Sequence, residues 1–481
     1  MNKRMVAYVI GVILTIEALT MVPMIIVSLI YGESILPFLY SMMIMLLFGV
    51  PLVIIKPRNN AIYARDGFVS VALAWIVMSV AGALPFYFCG GFKSFWDCLF
   101  EVVSGFTTTG SSVLTEPQAL PYGILFWRSF THWIGGMGVL VFVMAVLPLS
   151  SEHSMHLMRA EVPGPIVGKL VPKMRNTAKI LYGVYTVMTA VLVLLLLLGG
   201  MPIFDSLCYA FGTAGTGGFS INSAGISLYN SAYLEIVISI FMLLFGINFN
   251  LYYFVLIGNV RDAIRSEELR WYLCIVTGST LLIAVNTLHL FANFGVSLRY
   301  SLFQVSSIIT TTGYATYDFN LFPAFSQNIL LLLMVTGACA GSTGGGFKIS
   351  RVIIILKCIS NQVHKLIHPR AVSTVKLEGK SIDSKLIKNT LSYLAVYFVI
   401  ICVSVLLLSI DGYDFTTTFS AELACFNNIG PGLGMVGPMG SFAGFSAFSK
   451  MLLALNMLFG RLEIFPMLVL FSPQVWRKNI A

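Results

Sequence analysis

Long apolar runs dominate the chain, and ten of them read as membrane spans, near 5–30, 37–55, 67–89, 124–149, 180–199, 232–257, 271–292, 327–356, 389–410 and 448–471. Each is close to the ~20 residues needed to cross the hydrocarbon core of a bilayer. Between the later spans lie four shorter, half-apolar segments, near 94–106, 202–213, 297–309 and 414–426. At 1.5 Å per residue these predict helices of ~15–20 Å, which reach only halfway across. Each runs into a glycine: Gly110, Gly218, Gly313 and Gly430.

Aligning these glycines exposes a repeat. Asp97, Asp205 and Tyr300 stand at one position before the first three, and Leu99, Leu207 and Leu302 follow two residues later. The register selects Gly218 rather than Gly217 as the second key glycine, and sets Phe219 opposite Tyr314. The fourth unit matches only near its end, where Phe426 precedes Gly430 as Phe106 precedes Gly110. The reading is an all-α polytopic membrane protein: four pseudo-fourfold repeats of span, half-helix, loop and span around a central pore, preceded by two leading helices. The divisions are 1–66 for the leading helices and 67–178, 179–270, 271–386 and 387–481 for the repeats.

Non-helical backbone at membrane depth is tolerated only where it is buried in protein or faces a watery cavity. A half-helix entering from outside aims its negative C-terminal end at the membrane centre, and four converging ends stabilise a cation there. Glycine at the turn frees the backbone to present carbonyl oxygens, which replace a cation's water shell. Threonine hydroxyls beside it add further oxygens. A competing reading makes these loops packing contacts of the small-residue kind common between membrane helices, but that gives no reason for four in register.

Composition and charge narrow the class. Mean hydropathy is +0.88, with 57% hydrophobic and 10% charged residues, outside the range of soluble domains. The net charge of +9 is a topology signal. Of the 29 Lys and Arg, 24 fall in the N-terminus, 56–66, 150–179, 258–270, 348–388 and the C-terminal tail, all on one face of a ten-span chain. The positive-inside rule makes that face cytoplasmic, with both termini inside, and it removes nucleic acid as a partner. The eight cysteines are scattered without a CxxC pair, so they read as packing residues. The N-terminal run lacks a small-residue cleavage site and reads as an uncleaved span.

Gly105-Phe106-Thr107-Thr108-Thr109-Gly110, Thr216-Gly217-Gly218-Phe219-Ser220, Thr310-Thr311-Thr312-Gly313-Tyr314 and Asn427-Asn428-Ile429-Gly430-Pro431 resemble the four filter loops of the Trk/Ktr/HKT potassium transporters. His132-Trp133-Ile134-Gly135-Gly136-Met137-Gly138 and Gly460-Arg461-Leu462-Glu463 extend the likeness, which covers essentially the whole chain. With two leading spans, the chain is most similar to the TrkH-type membrane subunit of the bacterial Trk system. The resemblance implies a potassium filter at Thr108, Thr109, Gly110, Thr216, Gly217, Gly218, Thr311, Thr312, Gly313, Asn428, Ile429 and Gly430. It also implies a homodimer in the bacterial inner membrane and a cytosolic nucleotide-binding regulatory ring of the RCK (TrkA-like) type. Potassium is then the transported ion, with no organic cofactor in this chain. Each loop has one key glycine with varied flanks, so the filter is less regular than a stack of identical carbonyl rings. Potassium is expected to outrank sodium modestly, with rubidium accepted.

Two features suggest control beneath the loops. Gly337–Gly346 places five glycines in ten residues, each costing about 1 kcal/mol in a helix interior. This predicts an intramembrane break with Gly341, Gly344, Gly345 and Gly346 as a hinged obstruction; close helix packing is the alternative. The same stretch imitates a P-loop, but Phe347 takes the lysine's place and no strand precedes it. Arg461 lies deep in the last span, where a charge faces either a water-filled path or a partner. It is read as an electrostatic barrier in the conduit, against a buried pairing with an acid or a backbone carbonyl. His132 and Glu17 are further intramembrane candidates and read as satisfied packing or interface groups. Asp97, Glu101, Asp205, Asp318, Asp414 and Glu422 read together as a cation-concentrating mouth, or singly as caps.

Neither a nucleotide site nor a nucleophile triad stands out, so an enzyme or an ATP-driven pump is not expected. Membrane potential suffices to drive uptake; proton or sodium symport is the alternative. The basic 348–388 loop, joined to the proposed hinge, is a place for a cytosolic partner to pull.

Overall fold

The computed structural model describes residues 2–55, 64–138, 174–370 and 374–476. The second half of span 124–149, most of the basic stretch 150–179, most of 56–66 and the basic tail lie outside the described residues. Within them, six helices are long and apolar enough to cross a membrane, and one bent pair makes a seventh.

Two leading spans, Lys3–Ile30 and Leu36–Ile54, pack closely. A methyl on Gly11 would lie 2.8 Å from the Gly49 carbonyl oxygen, so small residues set their approach. Four repeats follow. Their opening helices are Ala64–Gly82, Met174–Leu198, Glu267–Asn286 and Ser384–Leu408. The expected half-helices appear at Phe95–Phe106, Ile203–Gly215, Phe294–Ile309 and Phe415–Phe426. Ser94, Asn293 and Asp414 cap three of them with side chains that accept from first-turn backbone N–H groups, satisfying donors the first turn leaves free. The second half-helix starts behind Pro202 instead.

The closing helices depart from expectation. Sequence predicted one break, at 337–346, but among the described residues every closing helix is short: Tyr122–Gly136 (15 residues), Ala232–Phe245 (14), Ala324–Val335 (12) and Ala447–Arg461 (15). The second bends by 91° into Phe249–Leu256. The third gives way to the glycine loop before Ile349–Ile367. The fourth breaks before Phe465–Phe471, with Glu463 and Ile464 at φ +57° and +64°, a left-handed geometry unusual for a β-branched residue.

These breaks answer one another. The carbonyl of Phe245 accepts from Thr343 Oγ1 at 3.1 Å, Gly246 O accepts from Cys339 N at 3.1 Å, and Phe249 N donates to Gly341 O at 3.0 Å. Backbone groups freed by the bend in repeat two are thus satisfied by the loop of repeat three, as burial in hydrocarbon requires.

Candidate functional site

The four loops share one backbone conformation. Thr108, Thr216, Thr311 and Asn428 all have φ between +54° and +58°, and two residues later Gly110, Gly218, Gly313 and Gly430 have φ +83°, +80°, +84° and +102°. In each, the residue between donates its N–H to the carbonyl five residues earlier: Thr109 to Ser104, Gly217 to Gly212, Thr312 to Ser307 and Ile429 to Ala424, at 2.7–2.8 Å. This 6→1 bond closes a helix C-terminus with a left-handed residue. The geometry fixes Gly218 as the second key glycine. It also restores the fourth unit, which diverges in side chains but not in backbone.

The loops close on themselves. A Cβ on Gly110 would collide with the Gly217 carbonyl oxygen, one on Gly218 with that of Thr312, and one on Gly313 with that of Ile429. One on Gly430 would lie 2.8 Å from Thr109 O. Unit one therefore touches two, two touches three, three touches four, and four returns to one. Side chains brace the seam between four and one: Ser111 Oγ donates to Gly430 O at 3.0 Å, and Asn428 Nδ2 to Thr109 Oγ1 at 2.9 Å. The hydroxyls of Thr109 and Thr312 are each within 2.8 Å of the Thr107 and Thr310 hydroxyls. Those side chains brace their own loops, which leaves the ring mainly to backbone oxygen. All four key glycines line one cavity of about 120 Å³, together with Ser111 and Arg128.

Of the two readings of the six outer acids, the contacts fit individual structural roles. None of the six acids lines this cavity. Glu101 is fully buried, receives Arg128 Nε at 2.6 Å and accepts from Val113 N at 3.0 Å. Asp97 pairs with Lys450 at 2.6 Å. Asp205 accepts from Tyr229 Oη, and Glu422 is buried against Asn456. Asp318 accepts from Asn320 N at 3.0 Å, and Asp414 is a helix cap. Five of them lie on or cap a half-helix, and Asp318 caps the short turn Phe319–Leu321. Glu101→Gln should lower thermal stability in detergent by roughly 3–5 kcal/mol, because it leaves Arg128 buried without its counter-charge; an unchanged melting temperature would contradict the assignment.

Directly under the ring lies the glycine loop. Gly345 N donates to Thr311 Oγ1 at 2.6 Å, a Cβ on Gly345 would lie 2.6 Å from Asn427 O, and one on Gly344 would lie 3.0 Å from Thr310 O. Gly341 abuts Asn248, and Gly346, at φ +71°, abuts Gly337. Arg461 spans from the opposite side. Its guanidinium donates to Thr343 O at 2.8 Å, to Gly136 O at 2.6 Å and to Gly135 O. Buried to 6% exposure, it ties the loop to the end of the first closing helix, which is the backbone-carbonyl pairing among the two readings of this residue.

Sequence reasoning missed several groups here. Lys348, next after Phe347, is buried and donates to Gly344 O and to Gly345 O at 3.1 Å, so its cation folds back over the glycines. Glu268 accepts from both Ala340 N at 2.8 Å and Ser350 N at 3.1 Å. Arg351 pairs with Glu463 and stacks 4.0 Å over Tyr393. Glu268 and Arg351 fall at the ends of apolar runs, where a charge reads as a border marker.

His132 behaves as expected of a satisfied group. Its Nδ1 lies 2.8 Å from Gly105 O and its Nε2 accepts from Phe219 N at 3.2 Å, which fixes a neutral tautomer bridging the first half-helix to the second loop. Glu17 differs: it is buried against Gly82, and among the described residues neither carboxylate oxygen is hydrogen-bonded.

The sequence profile of TrkH, described as a cation transport protein, matches residues 37–478. The chain belongs to the TrkH family. It is 34% identical to the Trk system potassium uptake protein TrkH of Salmonella typhimurium, over 99% of this chain and all of that one. It is also 34% identical to the Trk system potassium uptake protein TrkG of Escherichia coli, over 99% of both. The crystal structure of the potassium transporter TrkH from Vibrio parahaemolyticus superposes with a TM-score of 0.89 at 32% identity, covering 99% of this chain and all of that one. Membership of this family makes the chain a transport protein rather than an enzyme, and the expected polytopic all-α fold stands.

Proposed function

We propose that this protein carries potassium into a bacterium across the cytoplasmic membrane, through a channel-like filter driven mainly by membrane potential. The closed ring of four glycine loops carries the reading. Thr108-Thr109-Gly110, Thr216-Gly217-Gly218, Thr311-Thr312-Gly313 and Asn428-Ile429-Gly430 are the filter, each contributing backbone oxygen beside a close-packed glycine. The relatives named as potassium uptake proteins support the choice of ion. One positive charge moving inward gains about 2.3 kcal/mol per 100 mV, so ~150 mV sustains more than two decades of accumulation at 1.4 kcal/mol per decade.

The loop 337–346 is the gate, with Gly341, Gly344, Gly345 and Gly346 giving it the freedom to swing and Arg461 holding it beneath the filter. The divisions at 66, 178, 270 and 386 separate the leading helices and the four repeats. The working assembly is a homodimer with both termini in the cytoplasm, regulated by a cytosolic nucleotide-binding subunit. The Trk system names of its relatives support a multi-component assembly.

Purified protein in liposomes should take up rubidium and potassium in proportion to an inside-negative potential, without a proton or sodium gradient, and sodium more slowly. Uptake that needs a proton gradient would replace this reading with symport, and sodium entering as fast as potassium would remove the selectivity. Deleting Gly344 and Gly345 should raise basal flux; unchanged flux would remove the gate.

A further inference from the structure

One carboxylate from another helix holds the chain on either side of the glycines 341–346. Glu268, in the first turn of Glu267–Asn286, accepts from Ala340 N at 2.8 Å and from Ser350 N at 3.1 Å. These two amides flank the glycine run, so one buried side chain closes the neck of the loop. An anion taking two backbone N–H bonds makes them stronger than neutral ones.

The turn that carries Glu268 is itself docked on a small hairpin from the cytoplasmic side. Lys376–Leu377 pairs antiparallel with Lys380–Ser381. Glu378 and Gly379 form its tip at φ +51° and +74°, the double left-handed turn that suits a two-residue hairpin. Glu378 Oε1 accepts from Ser266 Oγ at 2.9 Å, from Glu267 N at 2.9 Å and from Glu268 N at 3.4 Å. Its carboxylate therefore caps the helix that carries Glu268, at the positive end of that helix's dipole. In return, Glu378 N donates to Glu267 Oε2 at 3.2 Å. Lys357, on the helix that leaves the gate loop, pairs with Glu267 and donates to Lys376 O at 2.8 Å. Leu377 is buried in the same apolar cluster as Ile349 and Ile353.

We propose that the hairpin 376–381 and Glu268 form a mechanical relay that holds the gate loop shut. Glu378 is the handle at the cytoplasmic surface, and Glu268 is the positioning residue that transmits its state to Ala340 and Ser350. Lys376, Glu378, Gly379 and Lys380 are exposed. A cytosolic partner with an acidic surface, engaging the two lysines, lifts Glu378 from the helix end, loosens the first turn and releases the neck of the loop. The relay rests on the reading of 337–346 as the gate.

The test uses purified full-length protein in liposomes, without a partner, and two readouts. One is basal rubidium flux. The other is modification of Cys339, buried in the gate loop, by a charged thiol reagent, with the other cysteines replaced by alanine. Glu268→Gln and Glu378→Gln should each raise both readouts about tenfold, the effect of losing one charge-assisted hydrogen bond. The double variant should do no more than the larger single, since both act on one element. Lys357→Met, at a half-exposed site that should not impair folding, should raise both readouts by a smaller factor. Additive effects, or no rise in either readout while the Gly344–Gly345 deletion opens the pathway, would overturn the relay and leave the gate standing. If that deletion leaves flux unchanged, the gate reading fails. The relay then falls with it, because the loop it holds would not control passage.

Discussion

Gly218→Ala should abolish cation flux while leaving the protein folded in the membrane. The added methyl collides with the Thr312 carbonyl oxygen, and φ is +80°, a region alanine resists. A non-glycine residue held in such geometry costs ~1–3 kcal/mol, and the collision adds the displacement of a ring oxygen. A shift of 2–3 kcal/mol in ion binding at the ring lowers flux by roughly a hundredfold. The contacts predict a ranking. Gly110, Gly218 and Gly313 leave no room, whereas Gly430 leaves 2.8 Å to Thr109 O, so Gly430→Ala should retain more flux than the other three. Equal losses at all four positions would show that backbone angle alone decides. Full activity in Gly218→Ala would remove the ring from the transport path. The measurement is rubidium uptake at fixed potential, normalised to protein incorporated.

Arg461→Ala should raise basal flux by about tenfold or more. The guanidinium supplies bonds to Thr343 O, Gly135 O and Gly136 O, and bonds from a charged donor contribute ~1.5–3 kcal/mol each. Without them the loop 337–346 loses its tie to the first closing helix. Arg461→Lys should fall between, because an ammonium lacks the planar fork that reaches several carbonyls at once. In a chain already lacking Gly344 and Gly345, Arg461→Ala should add little. Unchanged flux in the single variant would reduce Arg461 to a packing residue.

Much of the architecture was legible because it is written in local pattern. Half-helices announce themselves by length, and the Asp97, Asp205 and Tyr300 column set the register that the left-handed Thr216 and Gly218 share with the other loops. The fourth unit was less legible because its likeness is in the backbone: Asn428 adopts the angle of the threonines without sharing their chemistry. Three helix breaks went unseen, at Met137, Gly246 and Leu462. Hydropathy counts apolar length, while a break depends on whether distant groups satisfy freed carbonyls, as Cys339 does for Gly246. The partners of the outer acids were hidden for a related reason. Asp97 and Lys450 are separated by 353 positions, so a charge that reads as solvated along the chain is neutralised in space. Glu268 escaped notice similarly, since it acts on Ala340 and Ser350, two amides that leave no mark in a sequence.

The central claim is that the four loops make a single cation site from backbone oxygen. Crystals soaked in rubidium, with anomalous density measured at the rubidium edge, test it most directly. A peak is expected inside the ring, coordinated by the carbonyls of Thr109, Gly217, Thr312 and Ile429, and it should be lost in Gly218→Ala. Rubidium bound only away from the ring, or a peak that survives Gly218→Ala unchanged, would contradict it.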